Sequence, residues 1–375
     1  MSFVTFGSND KRILTETLTT STWTNNQNNL TLHVTGTYGT SAEQNYTSPT
    51  SSAHFYLNVY NTSSDSTGET QYTVSYGNRV GSGSPDFTND TGSMGIGASK
   101  VVYSQYRNLV FGNDTSNFVF GTHTPEDIYV INLQRGRLRN NLKPGSLNLW
   151  ISGSPIGCDG VQTDLCPGGE TQLGHTFKLT DDSVTTSGSA LMTNLGRQYN
   201  IVSGADGIMS GSNLAQQGGS SSYGLFYPDA GIIILNPDNF AGEHDVAGTG
   251  DNPVSNPLKP HRNQGLSDNE DRNNERLFQC ISSAGHFIVD SEEQISSQYY
   301  FARARNYEFN YTNNPTFVDN TGTIKYSSMI DNPKVYITTV GLYNDNLDLL
   351  AVAKLSQPIA KDITKEALIR IKLDY

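Results

Sequence analysis

Apolar and polar positions alternate along most of this chain, in short runs separated by clusters of Ser, Thr, Asn, Gly and Pro. That period of two is the signature of half-buried strands. Residues 54–60 (HFYLNVY) and 71–77 (QYTVSYG) read as two strands around a polar loop. The runs DIYVINLQRGRLR (127–139), SLNLWISG (146–153), HTFKLTDDS and QYNIVSG continue in the same style. In YGLFYPDAGIIILN (223–236), the turn formers Pro228-Asp229-Ala230-Gly231 divide two apolar runs, which predicts a hairpin. Its second run, Gly231 to Leu235, is apolar throughout and predicts a strand buried on both faces. KVYITTVGLYNDNLDLLAVAKL predicts a longer hairpin turning at Asn344-Asp345-Asn346. At the end of the chain, Ile369, Ile371 and Leu373 alternate with Arg370, Lys372 and Asp374, so the first three are expected inward. A strand reaching Tyr375 either tucks into its own sheet or is offered to a neighbouring chain. Two segments break the pattern. Val102, Tyr106, Leu109 and Val110 share one helical face, with Ser99 as N-cap and Gly112 as stop, predicting a helix over 99–111. Ser267 and Glu270 have capping-box spacing ahead of Leu277 and Ile281, with Gly285 as stop, predicting a second.

The expected fold is therefore mainly β with a few helices: a β-rich, multi-module α+β chain of antiparallel, sandwich-like sheets with long polar loops. The expected partition is an N-terminal arm or module at 1–50, a β module with one helix at 51–155, a β module with long loops at 156–265, and a helix followed by antiparallel strands at 266–375. Composition narrows the function classes. Only 16% of the 375 residues are charged, so disorder driven by charge is not expected, and 20 Tyr with 15 Phe supply apolar area for a core. A formal charge of −12 provides no footprint for phosphate backbones, so nucleic acid is not an expected partner. No apolar run approaches the ~20 residues that span a bilayer, and the N-terminus lacks the apolar region of a secretion signal, so no membrane association is expected. Three cysteines (Cys158, Cys166, Cys280) fit a reducing compartment better than a disulfide framework.

Candidate chemistry is sparse. GIGASK precedes the first helix but lacks the third glycine of a dinucleotide fingerprint and matches no P-loop, so a hinge with a helix cap is the simpler reading. Cys158 and Cys166 could form half a zinc site, and Glu243, His244, Asp245 and Asp251 could hold a hard cation; a thiol-bearing loop and a solvated loop are the default readings. There is no nucleophile elbow, and no enzyme activity or cofactor is expected; a host-wall-degrading enzyme, which would need two carboxylates facing each other across a cleft, is the last alternative. Three contact surfaces are expected instead, one of them the terminal strand with Ile369, Ile371, Leu373 and Tyr375. Arg135, Arg137 and Arg139 would share one face if their segment is a strand. In YYFARARNYEFN, Tyr299, Phe301, Arg303, Arg305, Tyr307 and Phe309 would fall on one side, aromatic at both ends with guanidinium groups between. Arginine and tyrosine are preferred interface residues, and such a face suits a protein or a carbohydrate. For a glycan-binding module, Trp23 and Tyr223 are the expected aromatic platforms.

Several long phrases carry a resemblance. VSYGNRVGSGS, ASKVVYSQYRNLVFG, DIYVINLQRGRLRNNLKPGSLNLWISG, YGLFYPDAGIIILNP, FARARNYEFNYTNNPTFVD and ITTVGLYNDNLDLLAVAKLSQPI occur in this order over residues 70–375. Together they resemble virion structural, tail- or baseplate-associated proteins of T4-like contractile-tailed marine bacteriophages of the cyanophage type. The resemblance implies a noncatalytic tail subunit, assembled in the host bacterial cytoplasm. Its partners would be other virion proteins and further copies of itself, with a host-surface glycan as an alternative ligand. It brings no catalytic or cofactor residues with it.

Overall fold

The computed structural model describes residues 4–30, 34–35, 55–62, 68–84, 97–152, 176–185, 190–210, 222–240, 256–260 and 273–374. They are mainly β. In chain order the first strands are β1 (Lys11–Ser21), β2 (Val34–Thr35), β3 (Leu57–Tyr60), β4 (Thr70–Asn78), β5 (Asp127–Leu133) and β6 (Asn141–Leu142). Next come β7 (Asn148–Ser152), β8 (Thr176–Asp181), β9 (Leu191–Thr193), β10 (Gly196–Ala205), β11 (Ile208–Met209), β12 (Gly224–Tyr227) and β13 (Ile232–Leu235). The last are β14 (Phe287–Ile288), β15 (Asp290–Ala304), β16 (Val335–Tyr343), β17 (Leu349–Lys361) and β18 (Ala367–Asp374). The described helices are α1 (Ala98–Phe111), α2 (Asn273–Ala284) and the short α3 (Ser328–Asp331). The chain divides into two units, one of Thr19–Glu293 and one joining Met1–Leu18 to Gln294–Tyr375. The larger unit thus runs through the boundaries expected at 50, 155 and 265, because a single sheet does.

That sheet has the order β14-β7-β8-β10-β12-β13-β5-β4-β3-β2, with β9 and β11 attached to β10. Its centre is the hairpin read from YGLFYPDAGIIILN. Gly224 to Tyr227 pair with Leu235 to Ile232, and all eight residues are buried. Alternation sends Ile232 and Ile234 to one core with Val102, Tyr103, Tyr106 and Val110 of α1. It sends Ile233 and Leu235 to a second core with Leu277, Cys280 and Ile281 of α2. Each face is covered by a helix, which is why the run carries no polar position. The α1 boundary shifts slightly from expectation. Gly97 is the N-cap, and Ser99 lies buried in the first turn, its hydroxyl donating to the Ser82 carbonyl at 2.9 Å. Gly112 ends the helix in the left-handed region as expected.

The sheet curls around α2. Six strands separate β14 from β4, which in a flat sheet would put them about 34 Å apart. Yet the rings of Phe287 and Tyr72 lie 5.4 Å apart, and Trp23 packs on both. The segment from Thr22 to Leu30 fills the remaining gap. The Trp23 indole Nε1 and the Leu30 amide both donate to the Phe287 carbonyl, at 2.8 and 3.1 Å. No residue of α2 is exposed.

The smaller unit contains a three-stranded order β1-β15-β18 and a separate β16–β17 hairpin. The hairpin closes where expected, with the Asn344 amide donating to the Asp348 carbonyl at 3.0 Å and Leu347 at φ 67°. Its inward residues Ile337, Val340, Leu342, Ala351, Ala353 and Leu355 pack with Tyr300, Ile369, Ile371 and Leu373.

Two expected strands stop early. β5 ends at Leu133, and Arg135–Arg137 form a 3-10 turn, so Arg135, Arg137 and Arg139 do not line one strand face. The ladder with β4 ends there, and Leu138 turns in to reach the core. β15 likewise ends at Ala304.

Candidate functional site

The face read from YYFARA exists, and the pairing with β18 completes it. Tyr299 stands opposite Lys372, Phe301 opposite Arg370 and Arg303 opposite Leu368. Directly opposed residues point the same way, so these six form one checkerboard of rings, an aliphatic side chain and cations. The intervening residues point to the other side, where Tyr300 faces Ile371 and Ala302 faces Ile369 in the core of the unit. Ile369 and Ile371 are only 7% and 6% exposed. Their expected role as contact residues is therefore corrected: they are core, and the contact surface of β18 is its opposite side.

A small charge network holds this face. Glu16 of β1 accepts from the Tyr299 hydroxyl at 2.9 Å and from the Lys372 ammonium at 3.0 Å. These two hydrogen bonds lower the Glu16 pKa, and the same bond to Glu16 raises those of Lys372 and Tyr299. Lys372 also lies 3.2 Å from Asp374, whose carboxylate is stabilised first by the Ser297 hydroxyl and then by Lys372. Arg303 lies 3.7 Å from Glu366. Arg370 makes no ion pair among the described residues; its guanidinium sits 5.6 Å from the centre of the Tyr299 ring.

The other half of the predicted aromatic–arginine row is elsewhere. Arg305, Tyr307 and Phe309 lie on a turn, where Asn306 and Asn310 favour irregular backbone and Phe309 adopts φ 55°. The turn is built around a buried cation that sequence reading missed. The Lys361 ammonium donates to the Glu308 carbonyl and the Asn310 Oδ1, each at 2.5 Å, and to the Asn306 carbonyl at 3.4 Å. Burial lowers the pKa of this lysine. The Arg305 guanidinium donates to the Tyr307 hydroxyl at 2.7 Å, and the Tyr307 and Phe309 rings remain exposed.

The Arg135–Arg139 segment is tied internally. Arg137 pairs with Glu69, Arg139 with Glu293 at 2.7 Å, and Arg135 donates to the carbonyls of Leu138 and Arg139. Trp23 and Tyr223, the expected glycan platforms, are 2% and 0% exposed and belong to the core. Burial pushes the Tyr223 hydroxyl up to about 12. Cys280 is buried with its thiol pushed up to about 12 by burial, and it contacts the Pro257 carbonyl at 3.6 Å. Cys158, Cys166, Glu243, His244, Asp245, Asp251 and Tyr375 lie outside the described residues, as do Ser267 and Glu270. Among the described residues no three His, Cys, Asp or Glu side chains gather as a metal site, and no helix is long and apolar enough to cross a membrane.

Comparisons with protein-family models, curated proteins and solved structures found no match.

Proposed function

We propose that this chain is a noncatalytic structural subunit of a bacteriophage contractile tail, in the baseplate or fibre-attachment region, acting by packing against other virion proteins. The observation that carries the packing part is the Tyr299–Phe301–Arg303 and Leu368–Arg370–Lys372 face. Its reverse side is fixed in a hydrophobic core, so the outward rings and cations are held on a rigid support. Rigid aromatic and arginine side chains are the usual anchors of protein interfaces. The viral part rests on the resemblance of the phrases spread over residues 70–375. In this reading the sheets supply stiffness, and the face fixes register against a neighbouring subunit. Immunogold labelling of purified tailed particles with antibodies to this chain tests it: label confined to the tail is the expected result, and particles free of the chain would overturn it.

A second reading, a glycan-binding module, is favoured by one observation. Tyr307, Phe309, Tyr311 and Tyr326 are exposed on loops rich in Asn, Asp and Thr, a pairing of ring faces with polar groups that suits a pyranose. A glycan array probed with the wild type and with a Tyr311→Ala, Tyr326→Ala double variant separates the readings. Binding lost in the variant supports the second, and no binding by the wild type removes it.

A further inference from the structure

Of the described lysines only Lys361 is buried, at 0% exposure. Its three partners are the carbonyls of Asn306 and Glu308 and the side-chain amide oxygen of Asn310, none of them a carboxylate. A buried amine held by neutral acceptors is drawn toward its uncharged, nucleophilic form. Burial lowers the pKa of Lys361, against the opposing charges of Glu308 and Asp362. The group that it meets is an electrophile. Asn310 Oδ1 lies 2.5 Å from Nζ. A C=O bond is about 1.2 Å long, so Nζ stands no further than about 3.7 Å from the Asn310 Cγ. Reacting atoms held at roughly 3–3.5 Å are poised to form a bond. Neither partner is free to turn away. The Asn310 Nδ2 donates to the Asn306 carbonyl at 2.7 Å, so the carboxamide is held at both ends. The Asn306 Nδ2 donates to the Ile363 carbonyl at 2.7 Å, which ties the turn to the segment carrying Lys361.

We propose that Lys361 and Asn310 join in an intramolecular isopeptide bond once the smaller unit has folded. The Lys361 ammonium passes one proton to the Glu308 carboxylate, and the amine attacks the Asn310 Cγ. The Nζ–Cγ bond forms, a proton moves from Nζ to Nδ2, and the Cγ–Nδ2 bond breaks. The departing ammonia takes back the proton from Glu308 and leaves as ammonium. Nothing is oxidised or reduced, and no co-reactant enters. Residues 310–361, which include the whole β16–β17 hairpin, become a closed covalent loop tied at Lys361, opposite Val335 at the base of that hairpin. The hydrophobic cluster of this unit has three buried side chains, Leu342, Ile369 and Ile371. A covalent tie supplies rigidity that so small a core does not.

Intact mass spectrometry of the full chain, folded and then denatured just before injection, tests this. The wild type should be lighter than its sequence requires by the mass of one ammonia. Trypsin should fail to cut after residue 361, and fragmentation should find one branched peptide that holds both residues. Lys361→Arg keeps a cation for the three oxygens and removes the nucleophile. Asn310→Ala keeps the lysine and removes the electrophile. Both variants should return to the full sequence mass, with circular dichroism melts confirming that they are folded. A folded wild type at full sequence mass overturns the proposal, and that reading stands even if a variant fails to fold. A mass deficit that survives in either variant also overturns it, because the ammonia would then come from another site.

Discussion

Individual side chains show how far burial governs behaviour here. Lys361 holds three oxygens of the 306–310 turn, so Lys361→Met strands half-buried acceptors. Losing such a partner costs about 1–3 kcal/mol, which urea unfolding followed by tyrosine fluorescence would detect, together with faster exchange of the amides of 305–310. His286 stacks on the Trp150 ring at 4.1 Å, and the Lys178 ammonium sits 4.7 Å from the centre of that same Trp150 ring. Burial and then Lys178 lower the pKa of His286. Its folded value lies below its unfolded value, so the unfolded chain binds the extra proton first. Stability from this group is present above about 6.5 and is lost as pH falls through the folded value. The melting temperature should fall as pH drops below about 6.5, and His286→Gln should remove that part of the fall. Cys280, raised to about 12 and buried, should resist iodoacetamide in the native protein and react in denaturant.

At the level of elements, strands and turns were legible where local chemistry decides. The Pro228–Gly231 turn, the Asn344–Asn346 turn, the Ile369–Ile371–Leu373 alternation and the Gly112 and Gly285 stops were all readable from residue type. What misled was continuity of pattern past an element's end. RGRLR alternates as well as any strand, but β5 loses its neighbour at Leu133 and Leu138 is drawn inward. RNYEFN continues the alternation of YYFARA, but Lys361, fifty residues later, folds it into a turn. Trp23 and Tyr223 looked like surface platforms because their flanks are polar. Trp23 is covered by Phe287, and Tyr223 by Phe177 and Phe240, partners that the sequence immediately around each does not contain. The pairing of β15 with β18, and with it half of the proposed contact face, was hidden for the same reason. The central hairpin gives the sharpest test at this scale. A Cβ at Gly224 would lie 2.4 Å from the Ile234 carbonyl oxygen. Gly224→Ala should therefore cost about 3 kcal/mol through overpacking, seen as a lower denaturant midpoint with an unchanged slope.

Across the whole molecule, charge is partitioned between two units. Residues 1–18 and 294–375 carry 11 Lys and Arg against 10 Asp and Glu, and residues 19–293 carry 13 against 26. Like charges at the density of residues 19–293 repel, and added salt screens them within about 10 Å at 0.1 M. Raising salt should slow amide exchange in the 19–293 strands more than in β16–β18, measured by mass spectrometry on the intact chain. Equal slowing in both would mean that the imbalance carries no energetic weight.

The curl of the large sheet around α2 also sets a timetable. Synthesis delivers β2 to β13 before Asn273–Ala284 leave the ribosome, and Phe287 and its strap partners Trp23 and Leu30 are separated by more than 250 positions. Until then the nascent sheet has one greasy side with nothing to cover it. Such intermediates are prone to clump and to engage chaperones. Chains cut before residue 273 should pellet on release, while the full-length product stays in the supernatant.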